Sequence, residues 1–201
     1  MTEPREDRRV RRTHRMLKQG LAELMQEKDF KDITVKDITD RVDINRGTFY
    51  MHYTGIYDLL ERLENETLLD FQQMLDAYRA SGNLQNLHGL LTSITDYIAA
   101  NAEICRSLFQ NRASTDFTTK FQQLIRESGT DLIHTGYPAA TDEALGCFFS
   151  FVTYGMIGLI KRWLDTGMRM EKQALVLRSE RLIAGAAGSL LPILRTVCER
   201  K

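Results

Sequence analysis

Residues 34–53 read TVKDITDRVDINRGTFYMHY, and this stretch decides the fold. Thr34 stands three residues before Asp37, the spacing of a capping-box variant, and Ile33 and Ile38 are placed to staple the entry of the chain. A short helix follows, with Val35, Ile38 and Val42 on its inner side. Asp43-Ile44 makes a turn, Asn45 can cap again, and a further short helix spans Arg46 to Tyr53 with Phe49 facing inward. Twenty residues cannot bury a core of their own. Leu17, Leu21 and Leu24 before the hairpin and Leu59 and Leu60 after it must therefore close over it. The outer face of the second helix offers Arg46, Gly47, Thr48, Tyr50 and His52: a fixed cation, bare backbone, hydroxyls and an imidazole. Such a set suits phosphates and base edges. An ordinary helical hairpin with a polar outer face is the alternative.

Outward from the hairpin the pattern is helical almost everywhere. In the first helix Val10, His14, Leu17, Leu21 and Leu24 form one stripe, with Arg8, Arg11, Arg12, Arg15 and Gln19 opposite. His14 lies on the apolar stripe and reads as a core or boundary histidine. Gly55 can cap a fourth helix whose apolar positions continue to about residue 80, roughly 37 Å at 1.5 Å per residue. Further helical patterns cover Leu84 to Ala100, Ala102 to Gln110 and Thr115 to about Ile133. His134 to Ala140 reads as a loop, Thr141 caps a long apolar helix that Gly167 ends, and a last helix begins at Glu171 and is interrupted near Pro192. No strand-like alternation, repeat or low-complexity tract occurs. The expectation is an all-α protein of about nine helices: an N-terminal three-helix helix-turn-helix domain over residues 1–55 and a larger helical bundle over 56–201.

The composition narrows the function. Lys plus Arg and Asp plus Glu each number 27 in 201 residues, for a net charge of zero, so a uniformly basic nucleic-acid coat is excluded. The excess of cations is local: residues 1–18 hold seven basic against three acidic side chains. Cys105, Cys147 and Cys198 are odd in number and lack a C-x-x-C pairing, which argues against a disulfide scaffold or zinc knuckle and fits a reducing cytoplasm. The polar, Arg-rich start reads as no signal peptide. Ala144 to Ile160 is a charge-free run of seventeen residues, at the short limit for a bilayer span. Acidic residues precede it and basic ones follow, so it reads as a helix buried on most sides in a soluble bundle, with no membrane partner. Nucleophile elbows, phosphate-binding glycine loops and paired metal ligands are absent from the sequence, so no enzyme activity, metal or cofactor is expected.

RVDINRGTFYMHYTGIYDLL, following TVKDI, resembles the DNA-binding region of the TetR/AcrR family of bacterial transcriptional regulators. The resemblance covers about residues 8–60, with Thr34, Ile38, Arg46, Gly47, Thr48, Phe49, Tyr50, His52, Tyr53 and Leu59 in the family's positions. It implies a homodimer whose N-terminal domains bind a double-stranded operator and whose C-terminal domains dimerise and receive a small-molecule or protein effector. It makes Arg46 to Tyr50 the recognition helix. The DNA-binding set it implies is Thr34, Asn45, Arg46, Gly47, Thr48, Tyr50, His52 and Tyr53, with Thr34, Tyr50 and His52 on phosphates. Two positions depart from the pattern: Asp43 stands where the turn usually has a small residue or Gly, and Ile56 where a phosphate-approaching lysine is common. A repressor is the expected form. A helical small-molecule or protein-binding dimer without operator binding is the rival, for which Ile56 is the hint.

The C-terminal part is less distinctive. FSFVTYGMIGLIKRWLDTGM, Phe149 to Met168, is similar to a type found in a subset that includes regulators of dihydroxyacetone kinase operons. The eighth helix is apolar around most of its girth and the ninth contains Gly185-Ala186-Ala187-Gly188, small residues that permit close helix approach. A two-fold four-helix interface using Phe151, Ile157, Trp163, Gly185 and Gly188 would bury both surfaces at once, while close packing within one subunit is the other use of the small residues. Aromatic candidates for a ligand pocket among the middle helices are Tyr97, Phe109, Phe117, Phe121, Phe148 and Tyr154.

Overall fold

The computed structural model describes residues 5–81, 86–110, 115–136 and 141–198, with side-chain surroundings for 8–81, 86–109, 117–130 and 141–188. The described residues are helical with short connections: α1 (Arg5–Glu27), a 3-10 turn (Phe30–Asp32), α2 (Val35–Arg41), α3 (Arg46–Tyr50), α4 (Ile56–Ala80), α5 (Leu87–Ala100), α6 (Ala102–Gln110), α7 (Thr115–Gly136), α8 (Asp142–Asp165) and α9 (Lys172–Cys198). The all-α expectation holds.

Packing separates two compact units, residues 1–67 with 101–117, and residues 68–100 with 118–201. The first is therefore wider than the segment expected to bind DNA, because α1 packs on α6 as well as on α2. Its interior holds Leu17, Leu21, Ile33, Ile38, Phe49, Tyr53 and Leu59, all at most 2% exposed. These include residues on both sides of the hairpin that had to close over it, and burial at about 25 cal/mol per Å2 of apolar surface drives the closure. In the second unit α9 packs on α5 and α8. Leu145, Phe148 and Phe149 form a buried cluster against Ile125, Val152 and Ile183.

Helix ends follow the capping chemistry. Thr141 Oγ1 accepts from the Ala144 N–H at 3.3 Å and starts α8. Gly167, at φ +67°, ends it: its N–H bonds Leu164 O at 3.0 Å and the Met168 N–H bonds Trp163 O at 2.8 Å, the paired bonds of a Schellman stop. Three expected boundaries move. α3 stops at Tyr50 rather than Tyr53, because the chain tightens there: the His52 N–H reaches Phe49 O at 3.0 Å, an i to i−3 bond. α7 continues through His134 to Gly136, two residues before Pro138, the sequence feature that disfavours further helix. α9 runs through Pro192 to Cys198 without an interruption, since a proline removes one backbone donor and can bend a helix without ending it. Leu84, expected to begin the fifth helix, lies outside the described residues.

α8 also differs from the expected helix buried on most sides. Leu145, Phe148, Phe149, Thr153, Ile157, Ile160, Trp163 and Leu164 are buried, but Cys147, Ser150, Phe151, Tyr154, Gly155, Gly158 and Arg162 are exposed. Its apolar content thus serves two faces, one inside the unit and one outside. Among the described residues it is the one helix long and apolar enough to cross a membrane by length and composition.

Candidate nucleic-acid interface

The hairpin is fixed from its ends inward. Thr34 Oγ1 accepts from the Asp37 N–H at 3.2 Å while the Asp37 carboxylate accepts from the Thr34 N–H at 2.7 Å, a reciprocal box. Lys28 Nζ lies 2.9 Å from the same carboxylate. The Lys28 ammonium, with the bonds from Thr34, holds the Asp37 carboxyl well below the usual carboxylate range. Between the helices Asp43 takes φ +52°, a left-handed conformation that Asp tolerates better than most side chains because of its short polar group. The Ile44 N–H then bonds Thr39 O at 3.0 Å. Asn45 Oδ1 accepts from the Gly47 N–H at 2.7 Å and starts α3. Asp58 Oδ2 accepts from the Thr54 N–H at 2.8 Å, and the Arg62 guanidinium braces the same carboxylate at 2.8 Å.

This framing sorts the expected DNA-binding residues. Arg46, Gly47 and Tyr50 are exposed on α3, and Thr48 and His52 are partly exposed. Phe49, at 0% exposure, is the inward anchor. Thr34 and Asn45 are exposed, yet their side chains already serve as helix caps, so their main effect is on the position of the backbone. Tyr53 differs from the others in the expected set: its side chain is 1% exposed and turned into the unit. Its hydroxyl instead lies 2.5 Å from His14 Nδ1 on α1, and the Arg62 guanidinium sits 5.1 Å from its ring centroid. Burial pushes the Tyr53 phenol up to about 12. Two residues missing from the expected set stand out. Met51, at 80% exposure, ends α3, and Tyr57, at 69%, lies on the first turn of α4. The sequence signal for both was available: large side chains at positions the hairpin's own packing pattern leaves outside.

On α1, Arg8, Arg11, Arg12 and Arg15 are exposed, in keeping with the cationic face. Several carboxylates near the hairpin are already engaged: Arg41 pairs with Glu23 at 3.3 Å and Glu27 at 2.6 Å, and Lys18 pairs with Glu66. No group of three or more His, Cys, Asp or Glu side chains that could hold a metal occurs among the described residues. Burial pushes the Cys105 thiol up to about 12, which makes it a packing residue rather than a nucleophile.

The second unit holds a cleft of about 570 Å3 between α4 and α5, lined by Asp70, Gln73, Met74, Tyr78, Ser93 and Tyr97 among others. Tyr97 donates its hydroxyl to Asp70 Oδ2 at 2.8 Å. The six aromatic candidates are divided between the two units. Tyr97 lines the cleft, Phe121 packs edge-on to Phe71, Phe148 belongs to the α8 cluster, and Tyr154 is 62% exposed. Phe109 and Phe117 are buried edge-to-face against each other in the first unit. The expected interface residues divide similarly. Phe151 is 71% exposed, and Gly185 and Gly188 face open space. Ile157 and Trp163 are buried, and the Trp163 indole N–H is satisfied by Met170 O at 2.8 Å, so both belong to the subunit interior. The small-residue run is split: Ala186 and Ala187 pack on the α8 cluster while the two glycines point outward.

Residues 19–63 match the family described as bacterial regulatory proteins, tetR family, and residues 85–185 match the TetR family described as transcriptional regulator C-terminal region. The chain belongs to the TetR family. TetR proteins are transcriptional regulators, not enzymes. Over 58 residues the chain is 41% identical to the uncharacterized HTH-type transcriptional regulator YxbF of Bacillus subtilis, a stretch spanning 28% of this chain and 15% of that protein. Two solved structures share the TetR architecture. The dihydroxyacetone kinase operon activator DhaS is 16% identical with a TM-score of 0.57, covering 86% of this chain and 94% of DhaS. The fatty acid degradation regulator FadR of Bacillus halodurans is 14% identical with a TM-score of 0.64, covering 92% and 97%. At these identities the likeness is one of fold.

Proposed function

We propose that this TetR-family regulator works in the cytoplasm as a homodimeric repressor that reads a palindromic operator with α3 and is released by an effector bound to its C-terminal unit. The exposed set Arg46, Gly47 and Tyr50 on a capped, buttressed helix carries the reading. A helix in the major groove reads base edges with a few aimed side chains, and two-fold symmetry sets half-sites about one turn apart, roughly 34–36 Å, or a multiple. Dimerisation is supported by the outer face of α8 and α9, where Phe151, Leu182, Gly185 and Gly188 are exposed. A second copy can cover this face with closely approaching helices. The cleft at Asp70 and Tyr97 is the candidate effector site. Since α4 belongs to both units in sequence, an effector favouring one placement of α4 would alter the separation of the recognition helices.

The test is binding of a fluorescent duplex from the protein's own promoter region, with Arg46→Ala beside the wild type. Arg46→Ala is expected to weaken specific binding about 5–150-fold, the equivalent of roughly 1–3 kcal/mol, if Arg46 reads a base. It would lower the salt slope instead if Arg46 holds a phosphate. No change in either rejects the recognition helix. A promoter-fused reporter distinguishes repression from activation. The rival, a ligand-binding dimer without operator binding, rests on Ile56, which leaves one expected cation out of the interface, and it is the outcome if no duplex binds.

A further inference from the structure

The hairpin is tied to α1 by a cluster that includes His52, one of the expected phosphate contacts. His14 Nδ1 and the Tyr53 hydroxyl are 2.5 Å apart across 39 residues of sequence. The ring of His52, the half-exposed imidazole just beyond α3, lies 4.7 Å from that of His14, centroid to centroid. The charged groups around His14 are Lys18 on its own helix, His52 on the hairpin, and Arg62 and Glu66 on α4, and Lys18 and Glu66 already neutralise each other. His52, Lys18 and Arg62 act against a charge on His14, and Glu66 favours it. Burial first, then His52 and Lys18, lowers the His14 pKa, and the phenol beside it is held protonated. Neutral His14 therefore accepts the Tyr53 hydroxyl at Nδ1. This bond is the direct tether between α1 and the end of the hairpin.

We propose that His14 is a positioning residue for the DNA-reading hairpin, and that the His14–His52 pair carries at most one proton, which goes to His52 when DNA phosphates approach it. The proposal deepens the operator-binding reading and rests on it for its second half. Two imidazolium ions at this spacing repel, and Lys18 and Arg62 add to the cost on the His14 side. A phosphate near His52 favours the charged ring there. Operator binding then takes up a proton, and affinity rises as pH falls through the imidazole range, by up to tenfold per pH unit for one linked proton.

The free protein gives the first readout. Proton NMR titration of the histidine rings in His52→Gln should raise the His14 midpoint, because the variant removes the neighbour that lowers it. An unmoved His14 midpoint overturns the pairing whether or not DNA binds. With an operator duplex, affinity measured from pH 8 to pH 6 should rise in the wild type and flatten in His52→Gln. Calorimetry in two buffers of different ionisation heat should report proton uptake in the wild type and none in His52→Gln. A wild type whose affinity does not change over this range, or a His52→Gln that keeps the rise, rejects the proposal. His14→Gln, which keeps an acceptor for Tyr53, should restore the operator affinity that His14→Phe loses at every pH, and equal losses in the two variants reject the positioning role. Failure of the wild type to bind any duplex would reject the operator reading while leaving the NMR result to decide the pair.

Discussion

Asp43 at φ +52° shows how one residue can serve the turn and tax the interface. Its conformation is one that few side chains adopt without cost, and its carboxylate stands beside the helix expected to meet a polyanion. Ile56 stands where the family resemblance places a phosphate-approaching lysine. We therefore expect Ile56→Lys to steepen the dependence of log affinity on log salt by about 0.9 for each added phosphate contact. A salt series on an operator duplex checks this, and an unchanged slope places the start of α4 away from the backbone. Thr34 and Asp37 act on stability. Thr34→Ala should cost about 1 kcal/mol in urea unfolding at pH 7. The Asp37 carboxyl is depressed from its ordinary 3.8 by the bond from Lys28 and those from Thr34. Its stabilisation is thus fully present above that ordinary value and lost as pH falls through the depressed one. The stability difference between wild type and Asp37→Asn should be constant from pH 7 to pH 5 and shrink below pH 4. A constant difference down to pH 2 would contradict the box.

At the scale of elements, the hairpin was legible because capping spacing and turn chemistry are local: Thr34 with Asp37, Asn45 with Gly47, and Thr141 and Gly167 at the ends of α8 behave as their sequence positions imply. Features set by packing across the chain were not legible. Tyr53 looks like its exposed neighbours in sequence, and its burial depends on His14 and Arg62, which lie on other helices. Trp163 shares an apolar helix with Phe151, and periodicity cannot say which of two apolar faces a partner covers. Aromatic spacing likewise fixes a helix face and not what stands opposite it. Contacts between elements now make a sharper expectation possible. A Cβ on Gly129 would lie 2.3 Å from Phe149 Cε1 in the buried α8 cluster. Gly129→Ala should destabilise the protein by about 1–3 kcal/mol through overpacking, whereas Gly155→Ala, with nothing within 4 Å, should not destabilise. Thermal unfolding of the two variants separates them, and equal melting temperatures would refute the close approach.

For the whole molecule, the zero net charge averages over unlike parts, with 12 basic and 10 acidic residues in positions 1–53. In the proposed dimer a few aimed cations on a two-fold scaffold would replace a basic coat, and DNA affinity would depend on presenting two hairpins together. The exposed Phe151 face is where that dependence can be cut. Phe151→Glu should leave the helical circular dichroism intact, shift the protein to a monomer in sedimentation, and lower operator affinity with it; a dimeric Phe151→Glu would move the interface elsewhere. The central claim, a symmetric dimer reading a groove with α3, is tested most directly by selecting bound duplexes from a random pool with the wild-type protein. The account predicts a palindromic consensus whose half-sites lie about one helical turn apart, or a multiple of it. A pool that yields no enriched sequence, or a consensus without two-fold symmetry, would contradict it.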